Sequence, residues 1–113
     1  MKRDNEYNNS KTPLALVMSP TRELAQQIYE CSEPYAKLIG CQISCIYGGA
    51  ESYGQRDQIA AGCDLLIATP GRLMDFMNRK HVNVRRIMYF VLDEADRMLD
   101  MGFIPQVKKV VMS

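Results

Sequence analysis

Residues able to do chemistry are concentrated in four short stretches: Pro20-Thr21-Arg22-Glu23, Gly48-Gly49, Thr69-Pro70-Gly71-Arg72 and Asp93-Glu94-Ala95-Asp96. In both Pro-x-Arg turns a Ser or Thr stands before the proline, so Ser19 or Thr69 can cap a helix whose first position the proline fills. Each turn can be no more than a well-made strand-to-helix junction. It can equally seat a phosphate, because a helix start offers free N–H groups, the positive end of a dipole and here an arginine fork. Two such seats suit a repeating polyphosphate backbone, and Gly71 with the Gly48-Gly49 pair lets that backbone come close to the main chain. The acidic tetrad also has two readings. Asp93 can be an N-cap, with Glu94 and Asp96 favoured by the helix dipole. Alternatively Asp93 holds Mg²⁺ through its water shell and Glu94 orients an attacking water, the acidic step of a nucleotide hydrolase.

Something must hold these stretches in register. Each follows a short apolar run, at 14–19, 43–47, 64–68 and 88–92. Leu24, Ile28, Cys31, Tyr35 and Leu38 recur at helical spacing, a helix is predicted over 51–61 with Gly62 placed to cap it, and Leu73, Phe76 and Met77 mark another. A further helix is expected to start near Glu94, and one with Val107, Val110 and Val111 on one side closes the chain. Strands alternating with helices predict an α/β fold with a parallel sheet. All strand ends of such a sheet lie along one edge, where open α/β sheets bind ligands, so the four stretches are expected to form one composite site. One local conflict is visible. Pro34 falls inside the first helix, cannot donate to the Glu30 carbonyl and costs about 3 kcal/mol in a helix interior, so a kink or a split is expected there.

Composition narrows the class. Of 113 residues 47% are hydrophobic and 24% charged, the profile of one globular domain or less. Fourteen basic and thirteen acidic residues leave a net charge of +1, which excludes a broad basic field and puts phosphate binding on a few placed groups. The apolar runs are far shorter than the ~20 residues a membrane-spanning helix needs. Residues 1–12 read as a polar loop or disordered terminus and not as a signal peptide. Cysteines at 31, 41, 45 and 63, without Cys-x-x-Cys and with His81 as sole histidine, argue against zinc and a secreted disulfide scaffold. Reduced thiols in an intracellular protein are expected instead. The stretch from Gly49 to Gly54 has the G-x-x-x-x-G spacing of a phosphate loop, but Gln55-Arg56 follows where Lys and Ser or Thr are required, so it is not one. The eight methionines sit mainly on or beside apolar runs and read as core filling.

Taken in order, PTRELAQQ (20–27), GG (48–49), TPGRL (69–73) and VLDEADRMLDMGF (91–103) resemble the motifs of the DEAD-box ATP-dependent RNA helicases, from Pro13 to Val111. The resemblance implies a three-layer RecA-like parallel sheet with flanking helices, incomplete here, with 13–113 as a partial N-terminal RecA-like helicase domain. It implies ATP and Mg²⁺ as cofactors, and RNA held through its backbone without regard to sequence. Asp93 and Glu94 match the Mg²⁺-coordinating and water-activating positions, and Asp96 the position that links the nucleotide site to the RNA side. Pro20, Thr21, Arg22, Gly49, Thr69, Pro70, Gly71 and Arg72 match positions that grip the RNA sugar-phosphate backbone. The LDMGF run and the stretch YGGA…GCDLLIATPGRLMDFM look most like the Vasa subgroup and its close relatives.

The resemblance also implies what lies outside these residues. The adenine-recognising Q motif and the phosphate loop are expected before residue 1, the Ser-Ala-Thr motif after residue 113, and a second RecA-like domain with the transition-state arginines beyond. Met1 is then expected to be a truncation point or the start of an incompletely read gene. The run 88–92 is expected as an exposed apolar sheet edge, and the isolated chain as poorly stable and inactive toward ATP. The parent is expected to be a monomeric protein, cytoplasmic, nuclear or both, that couples ATP hydrolysis to local RNA unwinding. Two rivals stand beside this reading: a short product that binds RNA or a partner protein without hydrolysis, and a structural remnant.

Overall fold

A computed structural model describes residues 13–49, 53–85, 87–94, 96, 97, 102 and 105. The apolar runs form strands β1 (Ala15–Met18), β2 (Ile43–Ile46), β3 (Leu65–Ala68) and β4 (Tyr89–Leu92). All pair in parallel, in the order β2-β3-β1-β4. Met18 is level with Ala68 and Leu92, and Ile46 with Ala68, so all strands end in one row.

Helices α1 (Arg22–Ile39), α2 (Tyr53–Ala61) and α3 (Pro70–Asn78) connect the strands. Because side chains alternate across a strand, β1, β2 and β3 each feed two cores, and β4 feeds one through Phe90 and Leu92. Leu16, Met18, Ile46, Leu66 and Ala68 pack with Ile59 of α2 and with Leu73 and Phe76 of α3. On the opposite face Val17, Ile43, Cys45 and Ile67 pack with Ala25, Ile28 and Tyr29 of α1. The result is the parallel α/β sheet that the alternation predicts, in the three layers that the resemblance implies. Ile59, Leu73 and Phe76 are fully buried, and each contributes about 2 kcal/mol from apolar surface removed from water.

The two sheet edges differ. Beside β2, the N–H groups of Cys45 and, just past the strand, Tyr47 are taken by the amide oxygens of Gln58 and Gln55 on α2, at 3.4 and 2.9 Å. On the other side β4 pairs with β1, and Met88, Tyr89 and Val91 are 73, 67 and 52% exposed, the apolar edge expected from the sequence.

The helices depart from expectation in three places. Thr21, not Ser19, is the N-cap of α1, its hydroxyl accepting from the Leu24 N–H at 3.2 Å, so Pro20 lies before the cap and not in the helix. Pro34 does not split α1, which runs unbroken for 18 residues and closes on Gly40 at φ +73°. Only the Glu30 carbonyl loses a donor, and that turn is exposed enough for solvent to reach it. Gly62 ends α2 at φ +134°, outside the usual left-handed helix cap, and a side chain there would collide with Gln42. Of the helix expected near Glu94, Asp96 and Arg97 are helical. The polar segment 1–12, Glu51 and Ser52, and the valines at 107, 110 and 111 lie outside the described residues. No helix among the described residues is long and apolar enough to cross a membrane.

Candidate functional site

Strands β1 and β3 are neighbours, yet α1 and α3, which follow them, pack on opposite faces of the sheet. The crevice between such diverging helices is where parallel sheets take ligands. Here it is a cleft of about 410 Å³ lined by Pro20, Arg22, Gly48, Thr69, Gly71, Arg72 and Asp75. The ends of three strands therefore meet in one place.

The two arginines enter from different helices. Arg22 is the first residue of α1; its Nη1 donates to the Gly49 carbonyl at 3.5 Å and its guanidinium lies 5.0 Å from the centre of the Tyr47 ring. Gly49 has φ +79°, which disfavours any residue with a Cβ. Arg72 is the third residue of α3; its Nη1 donates to Gln55 Oε1 at 3.2 Å and its guanidinium lies 5.8 Å from the Phe76 ring centre. Pro70 is buried at the first position of α3, and Thr69 is its N-cap residue without a side-chain capping bond. The Thr69 hydroxyl instead accepts from the Gly48 N–H at 3.3 Å. Asp75, the one acid on the wall, is ion-paired with Arg79 at 3.0 Å.

Gly71 is informative because the chain itself does not require it. Its φ is not positive, and a Cβ placed there meets nothing within 4 Å. Glycine costs about 1 kcal/mol relative to alanine in a helix.

The acidic stretch stands apart. The Asp93 N–H extends the ladder to the Met18 carbonyl at 2.8 Å, and its half-buried carboxylate accepts from the fully buried Ser19 hydroxyl at 3.4 Å. Glu94 is exposed and holds φ +55°, a left-handed conformation uncommon outside glycine. A helix cannot run through that residue, so Asp93 is not the N-cap of a helix starting at Glu94. Asp93 and Glu94 line a second cleft, of about 350 Å³, with Leu24, Gln27, Ile28, Cys31 and Ser32 of α1. The expectation of one composite site is thus corrected to two clefts on one edge. The first turn of α1 stands between them, with Arg22 facing one and Leu24 the other. Asp96 is exposed on the helical segment beyond.

Among the described residues no group of three or more His, Cys, Asp or Glu side chains converges as a metal cage. One half-buried carboxylate is instead the kind of donor that Mg²⁺ uses when waters and substrate oxygens complete its shell. Away from both clefts, burial pushes the Cys45 thiol up to about 11, and burial followed by the hydrogen bond to Glu33 raises the Tyr29 hydroxyl. Neither is a nucleophile near neutral pH.

Two roles escaped the sequence. Ser19 supports Asp93 across 74 residues of chain, and Gln55 is buried against both Tyr47 and Arg72. The available signal for Gln55 was its place four residues before Ile59, on the buried side of α2.

The chain matches the DEAD/DEAH box helicase family over residues 2–113 and belongs to that family. It is 50% identical over 99 residues to ATP-dependent RNA helicase p62 of Drosophila melanogaster, covering 88% of this chain and 14% of that protein. Its identity to the human probable ATP-dependent RNA helicase DDX17 is 52%, with the same coverage of 88% and 14%. The chain therefore spans about one seventh of these relatives. Among solved structures, the yeast DEAD-box splicing factor Prp28 superposes with a TM-score of 0.84 at 37% identity, over 88% of this chain and 23% of that one. A hypothetical ATP-dependent RNA helicase from Sulfolobus tokodaii gives 0.83 at 30% identity, over 88% and 30%.

Proposed function

We propose that this chain supplies the RNA-gripping edge and the acidic step of an ATP-dependent RNA helicase, in which ATP hydrolysis drives RNA binding and local duplex unwinding. The observation that carries the reading is the cleft where the ends of β1, β2 and β3 meet, with Arg22 and Arg72 entering from helices on opposite faces. Pro20, Thr21, Arg22, Gly49, Thr69, Pro70, Gly71 and Arg72 are assigned to the RNA sugar-phosphate backbone. Two arginine forks and the start of α3 offer charge and N–H donors to successive phosphates and read no bases.

Asp93 is assigned to Mg²⁺ through water, and Glu94 to the attacking water. Bound there, Mg²⁺ neutralises charge on the phosphate oxygens. Ser19 holds the Asp93 carboxylate in place, and the left-handed turn at Glu94 sets its side chain apart from the strand. The cradle for the ATP phosphates is not among these 113 residues, so no step of hydrolysis is assigned to them beyond these two carboxylates. Asp96 is assigned to coupling with the RNA side, and a second RecA-like domain completes the parent. An intracellular setting, cytoplasmic or nuclear, and a monomeric parent accompany the reading. Within the family the LDMGF run supports a Vasa-like branch, while the matched relatives carry the p62 and DDX17 names.

The test uses the full-length protein. Arg22→Ala and Arg72→Ala should each weaken binding to unrelated RNA sequences alike and lower the salt slope by about 0.7. A loss confined to one RNA sequence would overturn the backbone assignment. Glu94→Gln should abolish RNA-stimulated ATPase activity while nucleotide binding is largely retained; unchanged turnover would remove Glu94 from its role.

A further inference from the structure

We propose that Gln55 is a positioning residue for RNA binding, a neutral acceptor that holds the Arg72 guanidinium at the cleft without adding a counter-charge; this rests on the RNA reading of the cleft. Gln55 is 94% buried, and its amide oxygen accepts twice, from the Tyr47 N–H at 2.9 Å and from Arg72 Nη1 at 3.2 Å. Both neighbours are donors, so the oxygen and not the NH₂ must face them.

The first of these bonds reaches the other arginine. Tyr47 carries the ring under Arg22 and leads into Gly48, whose N–H donates to the Thr69 hydroxyl, and Gly49, whose carbonyl accepts from Arg22. One side chain on α2 therefore braces Arg72 directly and Arg22 through the Tyr47–Gly49 loop. It fixes the spacing of the two forks, and a repeating phosphate backbone is sensitive to that spacing.

The chemical identity of the acceptor matters as much as its position. A carboxylate would make the same two hydrogen bonds and add an ion pair that competes with phosphate for Arg72. An amide orients the fork and adds no charge of its own. A purely structural bond to the Tyr47 N–H would be served equally well by glutamate.

The two cases separate in Gln55→Glu of the full-length protein, tested on a fluorescent oligouridylate with a non-hydrolysable ATP analogue. The proposal expects retained folding, affinity lower by about tenfold and a salt slope shallower by about 0.7. Wild-type affinity and slope in Gln55→Glu, where Arg72→Ala alone does weaken binding, would overturn it and leave the RNA reading intact. No effect of Arg72→Ala itself would overturn the RNA reading and this proposal with it. Should Gln55→Glu fail to fold, Gln55→Ala is compared in wild-type and Arg72→Ala backgrounds. A loss that disappears when Arg72 is already gone supports positioning; a loss that persists overturns it.

Discussion

The two Pro-x-Arg turns are nearly the same in sequence and differently built. In the first, Thr21 follows the proline and caps α1, so the helix starts at Arg22 and the Leu24 N–H is spent on the cap. In the second, Gly71 follows the proline and has no side chain to cap with, so Pro70 itself opens α3 and Arg72 falls at the third position. One residue after the proline shifts the arginine within the helix by two places. The hydroxyls before the prolines are released for longer-range work: Ser19 supports Asp93, and Thr69 holds the Gly48 N–H. The first turn is a self-sufficient helix start that brings an arginine to the cleft. The second keeps an uncapped first turn and an open approach at Gly71.

Four substitutions test this contrast and its surroundings, and a fifth, at Cys45, tests the core beneath. The largest effect is expected at Gly71: Gly71→Ala in the full-length protein should weaken RNA binding by about 2 kcal/mol while thermal stability holds or rises. Equal binding would mean that nothing approaches the main chain there. Next is Gly49→Ala, which forces a Cβ into the left-handed region; a loss of about 1–2 kcal/mol of stability is expected in chemical denaturation.

Thr21→Ala should cost about 1 kcal/mol of folding stability through the lost cap. Thr69→Ala should spare α3 and instead loosen the Gly48 loop, seen as faster amide exchange at Gly48; equal destabilisation by both variants would erase the distinction between the turns. The smallest effect concerns Cys45. The unfolded thiol ionises near 9.0 and the folded one near 11, so the folded state keeps its proton longer and stability falls as pH rises between those values. Cys45→Ala should flatten that limb in a pH series of denaturation midpoints.

Much of this is legible in the sequence. The period of Leu24, Ile28, Cys31, Tyr35 and Leu38 marked α1, and four apolar runs ending in Pro, Gly or acid marked the strand ends. Pro34 does not bring the expected split, because propensity counts one lost hydrogen bond heavily while α1, anchored through Ala25 and Ala36, tolerates it on an exposed turn. The acidic stretch is a different case. Its composition suits a helix start, but the left-handed backbone at Glu94 delays the helix.

What the sequence by itself determined is local: which runs become strands, that they alternate with helices, and that a cluster of Pro, Gly, Arg and acidic residues follows each. Those properties depend on neighbours a few residues apart, through periodicity and turn chemistry. Only the tertiary structure decided that β3 lies between β2 and β1, that α1 and α3 leave toward opposite faces, and that the acids therefore occupy a cleft of their own. It also decided that Gln55 and Ser19 reach partners 17 and 74 residues away. Strand order and such contacts arise from closing the two cores on both faces of the sheet, and a short window of sequence does not encode that closure.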